Sequence, residues 1–146
     1  MRIHHLLMGL LMLTGPLIAT AENSTHVPDY TIHHNAFPST ILTPEIASNY
    51  KIIRSKYRGL LNVSVIKDIS GTTGEAVTAN IKAKTRDLVG RIQAIDLREI
   101  REGKAIYYVG EFTIVDGETL DFTLEVTPAG MERPIKAQLK QQFFID

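Results

Sequence analysis

Between Ala76 and Arg86 the chain alternates with a period of two. Val77, Ala79, Ile81 and Ala83 are apolar, whereas Thr78, Asn80, Lys82 and Lys84 are polar. Successive side chains on a strand point to opposite faces, so this pattern describes a strand with one face buried and one in water. The same period recurs from Tyr30 onward and predicts seven strands: Tyr30 to Phe37, Arg58 to Lys67, Ala76 to Arg86, Arg91 to Arg101, Ala105 to Ile114, Thr119 to Thr127 and Ile135 to Ile145. Turn-forming segments separate them, among them Ser70-Gly71-Thr72-Thr73-Gly74, Glu102-Gly103, Asp116-Gly117 and Pro128-Ala129-Gly130.

One short helix interrupts the strands. Thr43 can cap it, Pro44 suits its first position, and Glu45 lies at the positive end of its dipole. Ile46 and Tyr50 then share a face. Seven short strands joined by turns predict an all-β fold, a two-sheet antiparallel sandwich of immunoglobulin-like architecture, with a closed β-barrel as the alternative. The Cys…Trp…Cys core of true immunoglobulin domains is missing. Parity also suggests a register for the fifth and sixth strands. A three-residue loop, Val115-Asp116-Gly117, would pair Ile114 with Glu118 and Phe112 with Leu120 in one hairpin, whose apolar sets then share a face. The last strand keeps its parity to the C-terminus, so Phe143 and Ile145 are expected to face the core and Phe144 to face away.

The N-terminus predicts export. A short positive start, an apolar run from Leu6 to Ile18 and the small-x-small site Ala19-Thr20-Ala21 form a secretory signal peptide over residues 1–21. The apolar run is shorter than the roughly 20 residues a membrane span needs, and no Cys follows it for lipid attachment. No stable membrane insertion is expected after cleavage. Removing 21 residues from 146 leaves 125, enough for one domain. Residues 22–29 are expected to be a flexible start and residues 30–146 the sandwich. Removal of Arg2 leaves one basic residue fewer than the 16 acidic ones, so no strong field recommends nucleic acid as a partner. The chain contains no cysteine, which excludes disulfides, thiol nucleophiles and thiolate metal sites.

No catalytic motif is present. There is no Gly-x-Ser-x-Gly elbow, and Glu99 and Glu102 have Arg98, Arg101 and Lys104 as natural ion-pair neighbours. Adjacent His33 and His34 point to opposite faces of a strand and cannot easily share an ion, and His26 adds no metal-binding spacing. Neither a cofactor nor a metal is therefore expected. Asn62-Val63-Ser64 matches a glycosylation pattern but lies within a strand. The candidate ligand-binding residues fall in two groups. Arg54, Lys56, Tyr57 and Arg58 form a cationic loop that could grip a carboxylate or phosphate. Tyr107 points outward near Arg98 and Val109 and could present an amphipathic patch.

Asn35-Ala36-Phe37-Pro38-Ser39-Thr40, Arg54-Ser55-Lys56-Tyr57-Arg58-Gly59, Asn62-Val63-Ser64-Val65, Glu102-Gly103-Lys104-Ala105-Ile106-Tyr107-Tyr108 and the ending Gln141-Gln142-Phe143-Phe144-Ile145-Asp146 resemble a family of small exported bacterial proteins, domain-of-unknown-function family 4426. The resemblance implies a periplasmic, single-domain protein without an assigned activity and carries over no catalytic residue. The resulting expectation is a monomeric or weakly dimeric binding module. Its partner would be an envelope protein or a small anionic ligand. The alternative is an envelope hydrolase whose site is dispersed in sequence.

Overall fold

The computed structural model describes residues 23–146. The expected signal peptide and the start at Glu22 lie outside the described residues. The described chain forms β1 (Ser24–Val27), β2 (Tyr30–Pro38), a 3-10 turn (Ser39–Ile41), α1 (Pro44–Asn49), β3 (Arg58–Lys67), β4 (Glu75–Ala76), β5 (Ala79–Arg86), β6 (Ile92–Ile95), β7 (Arg98–Glu102), β8 (Ala105–Thr113), β9 (Thr119–Pro128) and β10 (Ile135–Gln142). The strands make two antiparallel sheets. The first runs β1-β2-β3-β8-β7, with β4 also paired to β3; the second runs β10-β9-β5-β6. This is the expected sandwich, not a closed barrel.

Inward-facing residues of both sheets form one core. Ile32, Leu61, Val63 and Val65 meet Phe122, Leu124, Val126 and Ala137, all buried. At one end Phe112, Phe122 and Phe143 stack edge to face, with ring centroids 4.9, 5.3 and 6.2 Å apart. Phe143 is buried and Phe144 is exposed, as parity predicts, although β10 stops at Gln142. The backbone of Phe143 continues its bonding to the 114–118 corner, where Phe143 N–H donates to Glu118 O and Gly117 N–H donates to Phe143 O.

The chain changes sheets where the alternation gave no warning. The expected third strand divides at Val77-Thr78, because β4 pairs in the first sheet and β5 in the second. The expected fourth strand divides at Asp96-Leu97, with β6 in the second sheet and β7 in the first. Gly110 makes room for that crossing: a Cβ there would lie 2.5 Å from Ile95 Cγ2 and 2.7 Å from Asp96 O. The stretch expected to be a flexible start contains β1, paired with β2 from Ser24↔His33 to Val27↔Tyr30. These three changes turn seven strands into ten.

The predicted hairpin between the fifth and sixth strands is incorrect. β8 pairs with β3 and β7, and β9 pairs with β5 and β10, so they belong to opposite sheets. Parity required Phe112, Ile114, Leu120 and Phe122 to look at one core, and all four are buried there. Strands facing each other across a sandwich meet that requirement as well as strands side by side. Gly117 does hold the left-handed conformation, with φ 73°, but at a corner between sheets.

Candidate functional site

On the outer face of the first sheet, α1 builds a cleft. Thr43 caps the helix by accepting the N–H of Ile46 at 3.2 Å, and Pro44 occupies its first turn. The helix then seats Ala47 and Ile52 against Leu60 on β3, with Phe37, Leu42, Tyr50 and Val109 around them. Leu60 projects outward, opposite in parity to Leu61, so β3 carries apolar side chains on both faces where the helix docks. Beside this small second core lies a cleft of about 160 Å³, walled by Phe37, Leu42, Ile46, Tyr50, Ile100, Tyr107 and Val109, with Glu102 at its edge.

Asn62 lines this cleft, and its side-chain carbonyl oxygen is buried without a hydrogen-bond partner. Buried polar groups are overwhelmingly paired, and an unpaired one costs about 1–3 kcal/mol. An unpaired acceptor on a residue lining a mainly apolar cleft would be satisfied by a ligand's N–H or O–H that reached it.

The sequence-predicted residues separate. Tyr107 enters the cleft wall, opposite Ile100, while Arg98 pairs across from Val109 at its border. Arg98 donates from its guanidinium to the carbonyl of Tyr50, tying β7 to the end of α1. The Arg54–Arg58 loop lies elsewhere and is largely engaged. Arg54 donates to Leu42 O at 2.7 Å and to Thr40 O at 3.2 Å, clamping the 3-10 turn. Ser39, fully buried, donates to Ser55 O and accepts Ser55 N–H, both at 2.9 Å. Arg58 pairs with Glu111 at 3.6 Å. Lys56 lies 5.4 Å from the centroid of the exposed Tyr57 ring. Sequence reasoning missed Asn62 and the walls from Phe37 to Ile52. Their available signal was the Ile46/Tyr50 helical face and the outward apolar Leu60.

The histidines divide as parity requires. His34 is buried, with Nε2 2.9 Å from the Thr25 hydroxyl and Nδ1 unpartnered; burial holds its pKa below the ordinary value, and the charge of His33 adds to that. Among the described residues, no three His, Cys, Asp or Glu side chains converge on a metal position. A separate polar chain runs along the β1 edge. The Thr31 hydroxyl donates to Asp68 at 2.9 Å, so toward His26 its oxygen can only accept, and His26 Nδ1 must donate across 3.1 Å. In a neutral ring Nε2 is then the acceptor, and Ser24 donates to it at 3.0 Å.

The fold and cleft define a two-sheet sandwich with a small, mainly apolar cleft on one outer face. The family profile described as "Domain of unknown function (DUF4426)" matches residues 24–146, and the chain belongs to that family. It is similar to the crystal structure of a DUF4426 family protein, PA0388, from Pseudomonas aeruginosa PAO1, with 31% identity and a TM-score of 0.72, covering 84% of this chain and 94% of that one. FetP of uropathogenic Escherichia coli strain F11, expressed recombinantly in the periplasm, shares the fold at 8% identity and a TM-score of 0.59, covering 83% of this chain and 92% of that one. A copper-bound single-substitution variant of FetP aligns at 12% identity and a TM-score of 0.60, over 84% and 95% of the two chains. No curated protein matches the chain.

Proposed function

We propose that this is an exported, periplasmic binding protein without catalytic activity, and that the cleft beside α1 takes a small ligand with an apolar body and one hydrogen-bond donor. The unpaired, buried oxygen of Asn62 in a mainly apolar cleft carries this reading. The apolar run ending in Ala19-Thr20-Ala21 supports export, and among the described residues no helix is long and apolar enough to cross a membrane. The cleft is small, so a compact body is required: aromatic walls at Phe37, Tyr50 and Tyr107 favour a flat ring.

Indole and benzothiophene test this directly. They have nearly the same shape, but only indole carries an N–H donor. In amide-resolved NMR titrations, indole should shift the side-chain amide of Asn62 and the backbone amides around Tyr107. Benzothiophene should bind at least several-fold more weakly. Equal affinities, or shifts scattered away from the cleft, would remove Asn62 from the role.

A second reading, an envelope hydrolase, draws on the Ser24–His26–Thr31–Asp68 chain, whose proton directions polarise the Ser24 hydroxyl. Covalent labelling of Ser24 by a fluorophosphonate, lost in His26→Ala, would establish it. An unlabelled protein leaves the binding reading alone.

A further inference from the structure

The outer face of the second sheet carries a charge ladder with one position left open. Register across β5, β9 and β10 sets Arg86, Asp121 and Lys140 side by side, and Lys82, Glu125 and Lys136 side by side. In both rows a carboxylate of the central strand lies between two cations of its neighbours. The row between them is Lys84, Thr123 and Gln138. There the central strand supplies a hydroxyl where the parity of the ladder calls for an acid.

The cations around that position are only partly neutralised by the protein. Lys140 pairs with Asp121 at 3.5 Å, but among the described residues Lys84 and Arg86 form no ion pair. A depression of about 660 Å³ lies over the position, lined by Lys84, Arg86, Thr123, Gln138 and Lys140, with Asp121 at its side. Three cations against one carboxylate leave a net charge of +2 there. Neighbouring strands lie about 4.8 Å apart, so Lys84 and Gln138 flank Thr123 at a spacing that brackets a single tetrahedral oxyanion. The Arg86 fork, two ammonium groups, the Thr123 hydroxyl and the Gln138 amide are all able to donate.

We propose that this face binds a phosphate group, with the anion occupying the acid position that Thr123 leaves open. A phosphate monoester carries about −1.5 to −2 charges at neutral pH, which matches the local +2; a carboxylate, with one charge, would leave half of it unbalanced. The depression exceeds the size of the ion alone and leaves room for the body that bears it, against Ile92 and Leu139. This site is on the opposite sheet from the Asn62 cleft and does not depend on it.

The decisive variant is Thr123→Glu, which completes the ladder with an internal carboxylate. The probe is inorganic phosphate, titrated at constant ionic strength against chloride while the amides of residues 82–86, 121–125 and 136–140 are followed by NMR. Saturable shifts centred on Thr123 are expected in the wild type. Thr123→Glu should weaken them at least tenfold, while its thermal midpoint stays within a few degrees of the wild type. Lys84→Gln/Arg86→Gln should weaken them similarly and provides the same test should Thr123→Glu fold poorly. Wild-type shifts no larger than those in chloride, or unchanged phosphate binding in the variants, would overturn the proposal. Sedimentation with phosphatidylglycerol vesicles, compared with phosphatidylcholine vesicles, separates the sources. Selective pelleting assigns the phosphate to a lipid headgroup, and retention in the supernatant of a protein that binds free phosphate assigns it to a soluble ester.

Discussion

The hydroxyl of Tyr108, on β8 of the first sheet, accepts the backbone N–H of Ala79, at the start of β5 in the second, at 2.9 Å. The same hydroxyl donates to Glu99 at 3.0 Å. It thereby satisfies a backbone donor at the point where the chain crosses between sheets, and its pKa is raised, by burial first and then by the Glu99 carboxylate. Tyr108→Phe keeps the ring and removes both bonds. It should cost about 1–3 kcal/mol, the usual penalty for leaving a partly buried donor unpaired. Urea denaturation gives the number, and amide exchange at Ala79 should accelerate in parallel. A variant as stable as the wild type, with Ala79 still protected, would show that the bond is dispensable.

Phe143 and Phe144 should respond unequally to truncation. Phe143 packs against both Phe112 and Phe122, while Phe144 is 65% exposed. Phe143→Ala is expected to cost about 3–5 kcal/mol, a large share of the roughly 5–15 kcal/mol that holds a domain together. Phe144→Ala should cost less than about 1 kcal/mol. Side-by-side denaturation checks this, and the reverse order would contradict the packing.

His34 gives the protein a predictable pH dependence. Its pKa lies below the ordinary value of 6.5 because burial disfavours the charged ring. Between the folded and unfolded values, the unfolded chain binds the extra proton, so stability rises with pH. The contribution is fully present above about pH 6.5 and is lost progressively as the pH falls toward the folded value. His34→Leu removes the titrating ring and its unpaired Nδ1. Thermal midpoints measured from pH 7.5 down to pH 5 should fall for the wild type and flatten in the variant. Parallel curves would assign the slope to other groups.

Much of this structure was readable residue by residue. Arg58 to Lys67 is a strand with the predicted ends, and the Thr43-Pro44 cap starts the helix where the capping chemistry puts it. Both are local: hydrogen bonding and side-chain parity within a few residues decide them. The sheet changes at Val77-Thr78 and Asp96-Leu97 were invisible because alternation continues through a crossing when both sheets face the same core. The cleft was half visible. Tyr107 is outward by parity alone, but the sealing of Asn62 depends on α1 docking onto Leu60 and Val109, a contact between distant segments that no local pattern encodes. The Arg54 loop shows the converse. Its charges stand out in sequence, whereas its geometry spends Arg54 on the carbonyls of Thr40 and Leu42.

The Asn62 oxygen is the centre of the functional account, and Asn62→Val tests it most directly. Valine is nearly as large, suits a strand and has no acceptor to leave unpaired. If the cleft retains Asn62 for binding, the wild type gives up stability there, and the variant should gain about 1 kcal/mol or more while indole affinity falls at least tenfold. One paired measurement, the denaturation midpoint and the indole dissociation constant of Asn62→Val beside the wild type, gives both values. A variant that is less stable, or one that binds indole as tightly as the wild type, would contradict the account.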